Sequence, residues 1–461
     1  MLESTIMDSM PSLTFSLSEF DPLALHLNCC PNGPGFLESQ NPNPRTGRYT
    51  ILPLRTKESY LLDGNGLCRF HGEEIDFLAG DPLTALGNIL RERSHPDGSL
   101  LFPGGFFGYF GYDLAAWIEE LPRDANRDLR VPDLWLAWVD LAAVYDHQRQ
   151  ELTIASLDPN DDLEFWREML SRHQDPVDSD PGAVTSKPLP TITQIEFYRM
   201  VESAKRYISS GDIYQANLSC RFDARYTGSS SALYARLRKV NPSPFGCLIH
   251  SPDLDIISCS PERLVSLHGD LAETRPIAGT RPRGFNAPED DHLATELLGH
   301  PKERAEHIML LDLERNDLGR VCQAGSVEVD ELMVLERYSH VTHIVSNVRG
   351  RLRDGLGPFD LIRASFPGGT ITGVPKKRCM EIIDELEPTG RGTYTGSAGY
   401  ISVTGHCDLN ILIRSFQLIG EKLSYQVGAG IVADSVAENE YAECLAKGEA
   451  LRKALGVDHA V

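Results

Sequence analysis

The chain has 461 residues, of which 41% are hydrophobic and 24% charged, and its formal net charge is −22. Such proportions describe an ordinary globular protein with room for two or three average domains. The acidic balance excludes nucleic acid as an expected partner, because phosphate binding needs a basic stripe and the sequence shows none.

The opening "MLESTIMDSMPSL" is acidic and has no basic start before an apolar core, unlike a signal peptide. No apolar run approaches the roughly 18–20 residues of a membrane span, so no membrane association is expected. Ten cysteines are scattered without CxxC spacing, and the adjacent Cys29 and Cys30 are a poor geometry for a disulfide. Free thiols in the cytoplasm are the expectation.

The N-terminal region, residues 1–174, carries the strand-like runs "RYTILPL" and "WLAWVDLAAVYD". Its Gly/aromatic stretch "FPGGFFGYFGYDLA" reads as packing or as a sheet corner. A Pro/Asp/Ser-rich stretch over 175–190 reads as a linker to a larger part, 191–461. There "QIEFYRMVESAKRYISSGD" has helical periodicity and stops at Gly211. "LDIISCS", "HVTHIVSNVRG", "SAGYISV", "DLNILIRSFQLI" and "KLSYQVGAGIV" read as strands. "PKERAEHIMLLDLERND", "TGVPKKRCMEIIDELE" and "ENEYAECLAKGEALRKAL" read as helices. Several strands follow one another without a helix between, which predicts an α/β protein with substantial antiparallel sheet.

Two helices open with paired carboxylates, Glu303 with Glu306 and Glu440 with Glu443. Residues three apart share a helix face. Four carboxylates suit a hard cation such as Mg²⁺, or else two solvated faces. His343, on a strand face with Val341 and Val345, is either a hydrogen-bonded core residue or a general acid or base. Arg414 lies among apolar neighbours and needs a carboxylate, structural or bound. "GAGIV", with Gly428 and Gly430, lets backbone N–H groups approach an anion.

Together these segments resemble the chorismate-utilising enzymes, the family of component I of anthranilate synthase and of aminodeoxychorismate (para-aminobenzoate) synthase. The resemblance runs from about Gly211 to Leu451, through "SGDIYQANLS", "RPIAGTRPRG", "KERAEHIMLLDLERNDLGRV", "YSHVTHIVSNVRG", "FPGGTITGVPKKRCMEIIDELE", "DLNILIRS" and "GAGIVADSVAENEYAECLAKGEAL". It implies a large antiparallel β-sheet sandwich with surrounding helices. It also implies that Glu306 and Glu443 bind Mg²⁺, with Glu303 and Glu440 beside them, and that the metal clamps the ring carboxylate of chorismate. His343 matches the histidine that acts at the C4 hydroxyl, where it would protonate the leaving group. Tyr394 and Arg414 match residues that bind the enolpyruvyl carboxylate, and Gly279, Thr370 and Gly430 match the pocket lining.

Gln215 stands where isochorismate-forming relatives carry a water-activating lysine. The resemblance therefore points to the ammonia-using branch and to a glutamine amidotransferase partner. "DIYQANLS", "FPGGTITG", "GYFGYDLA" and "DLNILIRS" look like the aminodeoxychorismate enzymes. Ala278 does not: many of those enzymes carry a nucleophilic lysine there, and "PIAGT" is the anthranilate synthase reading, which remains the alternative. "FLES", with Glu38 and Ser39, and "NPSPF", with Pro242 and Pro244, resemble the two walls of a tryptophan pocket, expected here as a small apolar cavity between the two parts.

Overall fold

The computed structural model describes residues 10–40, 45–95, 98–172, 186–337 and 341–457. Its strands join into one connected network, and the long ladders are antiparallel. Helices flank the sheet, giving the mixed α/β architecture expected.

The strand Leu134–Asp146 explains how the sheet is stacked. It is apolar on both faces, and all but one of its residues are buried. Tyr49–Asp63 pairs along one edge and Gly105–Phe110 along the other. Trp135, Ala137 and Val139 enter a core that also takes Phe107, Tyr109, Cys247, Ile249 and Tyr400. Every regular element contributing to that core is a strand, so two parts of the sheet pack face to face. Leu134, Leu136 and Trp138 point the other way, into a core shared with the helices Pro82–Glu92 and Pro358–Ser365. The aromatic stretch "GFFGYF" is thus a central strand with every residue buried.

Helix boundaries follow local chemistry. Gln194–Ser210 begins with a reciprocal Thr193/Glu196 capping box and ends at Gly211 in the left-handed region, φ 83°. The C-terminal run forms two helices, Ala437–Lys447 and Glu449–Leu455, divided at Gly448.

One expected strand is broken. "DLNILIRSFQLI" forms Cys407–Asn410 and Ser415–Ile419, with Arg414 between them at φ 53°. The two halves have different partners: the first pairs with Arg263–His268, the second with Leu254–Ser260. The chain must turn to change partners.

Ladders also cross the expected boundary between the two parts. Gly35–Glu38 pairs with Phe245–Ser251, and Gly105–Phe110 with Ser397–Ser402. Residues 175–185 of the expected linker lie outside the described residues, and Leu189–Pro190 at its end pairs with Gln215–Arg225. All ten cysteines are unpaired. Among the described residues no helix is long and apolar enough to cross a membrane.

Candidate active site

A cavity of about 930 Å³ opens between the helices Pro301–Gly319 and Ala437–Lys447, over one end of the strands Gln215–Arg225 and Val341–Arg351. Glu303, Glu306, Glu440 and Glu443 all line it. The two carboxylate pairs, far apart in sequence, therefore share one chamber. Burial pushes the Glu306 carboxyl above its ordinary value, and Glu303 and Glu443 add to the shift. Burial likewise raises Glu440, with Glu443 adding to it.

Each of three carboxylates has a protein partner. Gln215 Nε2 donates to Glu306 Oε1 at 2.9 Å, Lys447 Nζ meets Glu443 at 2.8 Å, and Arg281 meets Glu303 at 3.1 Å. Among the described residues, no three His, Cys, Asp or Glu side chains converge closely enough to hold a metal ion. The donor set nevertheless fits a hard cation: it is all oxygen, and its mutual repulsion is what a divalent ion relieves. Glu306 and Glu443, on opposite helices, are the residues that would hold Mg²⁺.

His343 is buried in the cavity wall and hydrogen-bonds through Nδ1 to Thr280 Oγ1 at 2.8 Å. Burial, and then the Arg414 charge, push its pKa down to about 4, so the imidazole is neutral at neutral pH. Arg414 lines the same wall and donates to Asn241 Oδ1 at 3.0 Å. Among the described residues it pairs with no carboxylate, and burial lowers its pKa. An unpaired, half-buried guanidinium is costly, and an incoming anion removes that cost.

Two glycines shape the floor. A Cβ on Gly430 would lie 2.4 Å from Gln215 Nε2, and one on Gly279, at φ 80°, would lie 3.0 Å from Glu303 Oε2. Gln215, Ala278 and Thr370 complete the lining.

Tyr394 and Gly428 do not line the cavity; they lie behind its wall. A Cβ on Gly428 would come within 2.9 Å of the Tyr394 hydroxyl, and the Gly428 carbonyl accepts from Lys447 Nζ at 3.0 Å. Through its carbonyl Gly428 holds Lys447, which faces the cavity. Burial works against the Lys447 charge, but Glu443 outweighs it and keeps the ammonium protonated.

Sequence reasoning missed Lys447 and also Glu262. The Glu262 carboxyl is 5% exposed and pairs with no cation among the described residues. Burial pushes its pKa up to about 7. Ile277 N–H donates to it at 3.4 Å, and the Thr370 hydroxyl lies against it without a well-formed hydrogen bond. Its neighbours Pro261, Ile277 and Thr370 line the cavity.

A second cavity, of about 210 Å³, lies where the two parts of the chain meet. Glu38, Ser39 and Pro244 line it together, but Pro242 lines the large cavity instead. The two prolines flank Ser243, so the short segment faces both ways. The expected apolar lining is also corrected: Arg45, Arg48, Arg263, Glu273 and Asp408 stand among Tyr49, Phe245 and Tyr400.

Residues 67–453 match the family of chorismate binding enzymes. The chain belongs to that family. The aminodeoxychorismate synthase component 1 of Bacillus subtilis (strain 168) is 45% identical over 429 residues, which are 89% of this chain and 90% of that protein. An anthranilate synthase component I-like protein of Synechocystis sp. (strain ATCC 27184 / PCC 6803 / Kazusa) is 49% identical over 426 residues, 91% and 86% of the two chains. The crystal structure of anthranilate synthase component I from Streptococcus pneumoniae TIGR4 matches with a TM-score of 0.79 at 34% identity, covering 89% of this chain and 93% of that one. A chorismate-binding enzyme must receive a dianion on a protein of net charge −22. Arg414, Lys447 and the exposed Lys302 are cations that face the large cavity.

Proposed function

We propose that this enzyme replaces the C4 hydroxyl of chorismate with an amino group, giving 4-amino-4-deoxychorismate on the route to para-aminobenzoate and folate. It acts in the cytoplasm with Mg²⁺, and ammonia comes from a glutamine amidotransferase subunit. The observation that carries the reading is Gln215 in the cavity wall, hydrogen-bonded to Glu306. Glutamine cannot deprotonate water, and ammonia needs no deprotonation to attack. The B. subtilis relative, matched along nearly its whole length, supports C4 as the site of attack.

Glu306 and Glu443 would hold Mg²⁺, which would supply positive charge for the ring carboxylate. Arg414 receives the enolpyruvyl carboxylate, for which its guanidinium has no competitor among the described residues. His343, neutral at neutral pH, holds the C4 hydroxyl by a hydrogen bond. Glu262 keeps a proton up to about pH 7 and passes it, through the Thr370 hydroxyl, to the departing oxygen.

One observation favours the alternative, amination at C2 to give anthranilate: Ala278 presents a methyl group where a lysine would form an adduct. In the C4 reading ammonia itself replaces that lysine and forgoes the effective molarity of a tethered amine. Ala278→Lys is therefore expected to retain or raise C4 amination. The deciding experiment incubates the chain with chorismate, Mg²⁺ and ammonium, adds an aminodeoxychorismate lyase, and separates the aromatic acids. Para-aminobenzoate is expected; anthranilate formed without the lyase overturns the reading. With glutamine in place of ammonium the isolated chain is expected to be nearly inactive.

A further inference from the structure

We propose that Glu314 returns a proton to Glu262 after each turnover, through a buried row of acids that opens on the far side of the helix Pro301–Gly319. The proposal rests on the reading above, in which the C4 hydroxyl leaves as water.

Glu314 lies inside that helix, is 5% exposed and pairs with no cation among the described residues. Thr274 Oγ1 donates to its Oε2 at 3.0 Å, and its Oε1 lies against Gly369, where an added Cβ would come within 3.1 Å. Glu262 touches the same two segments further along: Ile277, three residues past Thr274, donates its N–H, and Thr370, next to Gly369, lies against it with its hydroxyl. The segments 274–277 and 369–370 therefore border both carboxyls, and the Glu314 charge acts on Glu262. Away from Glu262, the helix places Asp317 one turn beyond Glu314. Asp317 accepts from Lys376 Nζ, and this pair lines a depression of about 530 Å³ with Asn316, Arg320 and Met309. The same helix lines the large cavity through Glu303, Glu306 and Leu310. The row Glu262, Glu314, Asp317 thus runs from behind the chamber wall formed by Pro261, Ile277 and Thr370 to a separate surface opening.

Burial raises the Glu314 pKa, and Asp317 raises it further against the pull of Lys376. Burial raises Asp317 as well, again opposed by Lys376. Lys447, across the chamber, acts weakly on Glu262 in the same opposing sense. A core position filled only for packing would gain from an apolar residue.

The chemistry requires such a return. Ammonia forms the new C–N bond with its lone pair as the C4–O bond breaks, and the oxygen leaves as water with the Glu262 proton. The proton that ammonia brought stays on the new ammonium group. Glu262 is then a carboxylate inside a closed wall. Glu314 gives it a proton and recovers one from solvent through Asp317.

The test uses the full chain with chorismate, Mg²⁺ and ammonium. Glu314→Gln keeps the acceptor for Thr274 but carries no acidic proton. We expect kcat to fall at least tenfold, with KM for chorismate within twofold and a larger solvent deuterium isotope effect on kcat. Imidazole buffer should raise the rate in proportion to its concentration, and Glu314→Asp should restore most of it. Asp317→Asn, at the outer end of the row, should show the same buffer-dependent loss and carries the test if Glu314→Gln does not fold. An unchanged kcat and isotope effect, or a loss that neither buffer nor Glu314→Asp relieves, overturns the relay. Absence of C4 amination in the unmodified chain would instead overturn the function on which it rests.

Discussion

The two cavities hold charge in opposite ways. Around the small one the charged groups are answered from within the protein: Arg48 by Asp146, Arg263 by Asp408, and Glu38 by Arg238. In the large one, Arg414 and Lys302 make no salt bridge among the described residues, and neighbouring carboxylates still raise Glu306 and Glu440 although Lys447 pairs with Glu443 and Arg281 with Glu303. A site whose charges are already paired loses little by standing empty and suits a ligand without net charge. A site with unpaired cations beside repelling carboxylates is stable enough to fold but is completed only by ions of both signs.

The largest effect should come from the crowded carboxylates. Glu306→Gln or Glu443→Gln should lower kcat by about 10³-fold or more, since a metal at a developing charge supplies several kcal/mol. Thermal stability should hold, because relieved repulsion offsets lost contacts. Turnover against Mg²⁺ concentration, with a melting curve for each variant, measures both. Wild-type activity in limiting Mg²⁺ would remove these residues from the ligand set.

Glu262→Gln should cost about 10²- to 10⁴-fold in kcat, the range of a lost general acid. At saturating ammonia, kcat/KM for chorismate should fall on the basic side near the Glu262 pKa of about 7 and on the acidic side near the His343 pKa of about 4. In the kcat profile the basic limb should move upward, because bound dianion disfavours a second charge. Glu262→Gln should abolish the basic limb. Stability follows the same group. Its folded pKa lies above the ordinary carboxyl value, so the unfolded chain releases the proton first. That contribution is complete below about pH 4.5 and is lost as pH rises through 7. Urea midpoints compared at pH 5 and pH 8 should therefore differ less in Glu262→Gln than in the parent.

Arg414→Met should raise KM for chorismate about 10- to 100-fold, the worth of charge-assisted hydrogen bonds. Unlike a paired arginine, it should leave the melting temperature unchanged or higher. The smallest effect concerns the small cavity. If tryptophan occupies it, saturating tryptophan should raise the melting temperature by a few degrees, through binding to the folded state alone. An unchanged midpoint would leave that cavity as packing. A lower KM for chorismate with tryptophan present would join the two cavities functionally.

What was legible in the sequence was whatever local pattern decides. The stop at Gly211 is local, and so are the spacings of Glu303 with Glu306 and Glu440 with Glu443. Of the residues the resemblance points to, Gln215, Gly279, Glu303, Glu306, His343, Thr370, Arg414, Gly430, Glu440 and Glu443 line one cavity. The misses depend on partners distant in sequence. Nothing in "NILIRSF" signals a break, since it holds neither Gly nor Pro; the change of strand partner imposes it. Glu262 is one carboxyl in "SCSPERLV", and its unusual proton affinity comes from burial under Thr370, over a hundred residues later. Tyr394 and Gly428 lie behind the cavity wall instead of lining it, a depth that a linear motif does not encode.

Arg414 sits at φ 53°, where a side chain costs about 1–3 kcal/mol that glycine does not incur. It also carries a positive charge that nothing inside the described protein neutralises. On both counts a lineage that kept the fold but no longer used chorismate would gain stability by replacing this residue with glycine. If Arg414 binds an anion, arginine at this position would be a record of selection for that binding, and its loss in a relative would mark the point at which that selection stopped.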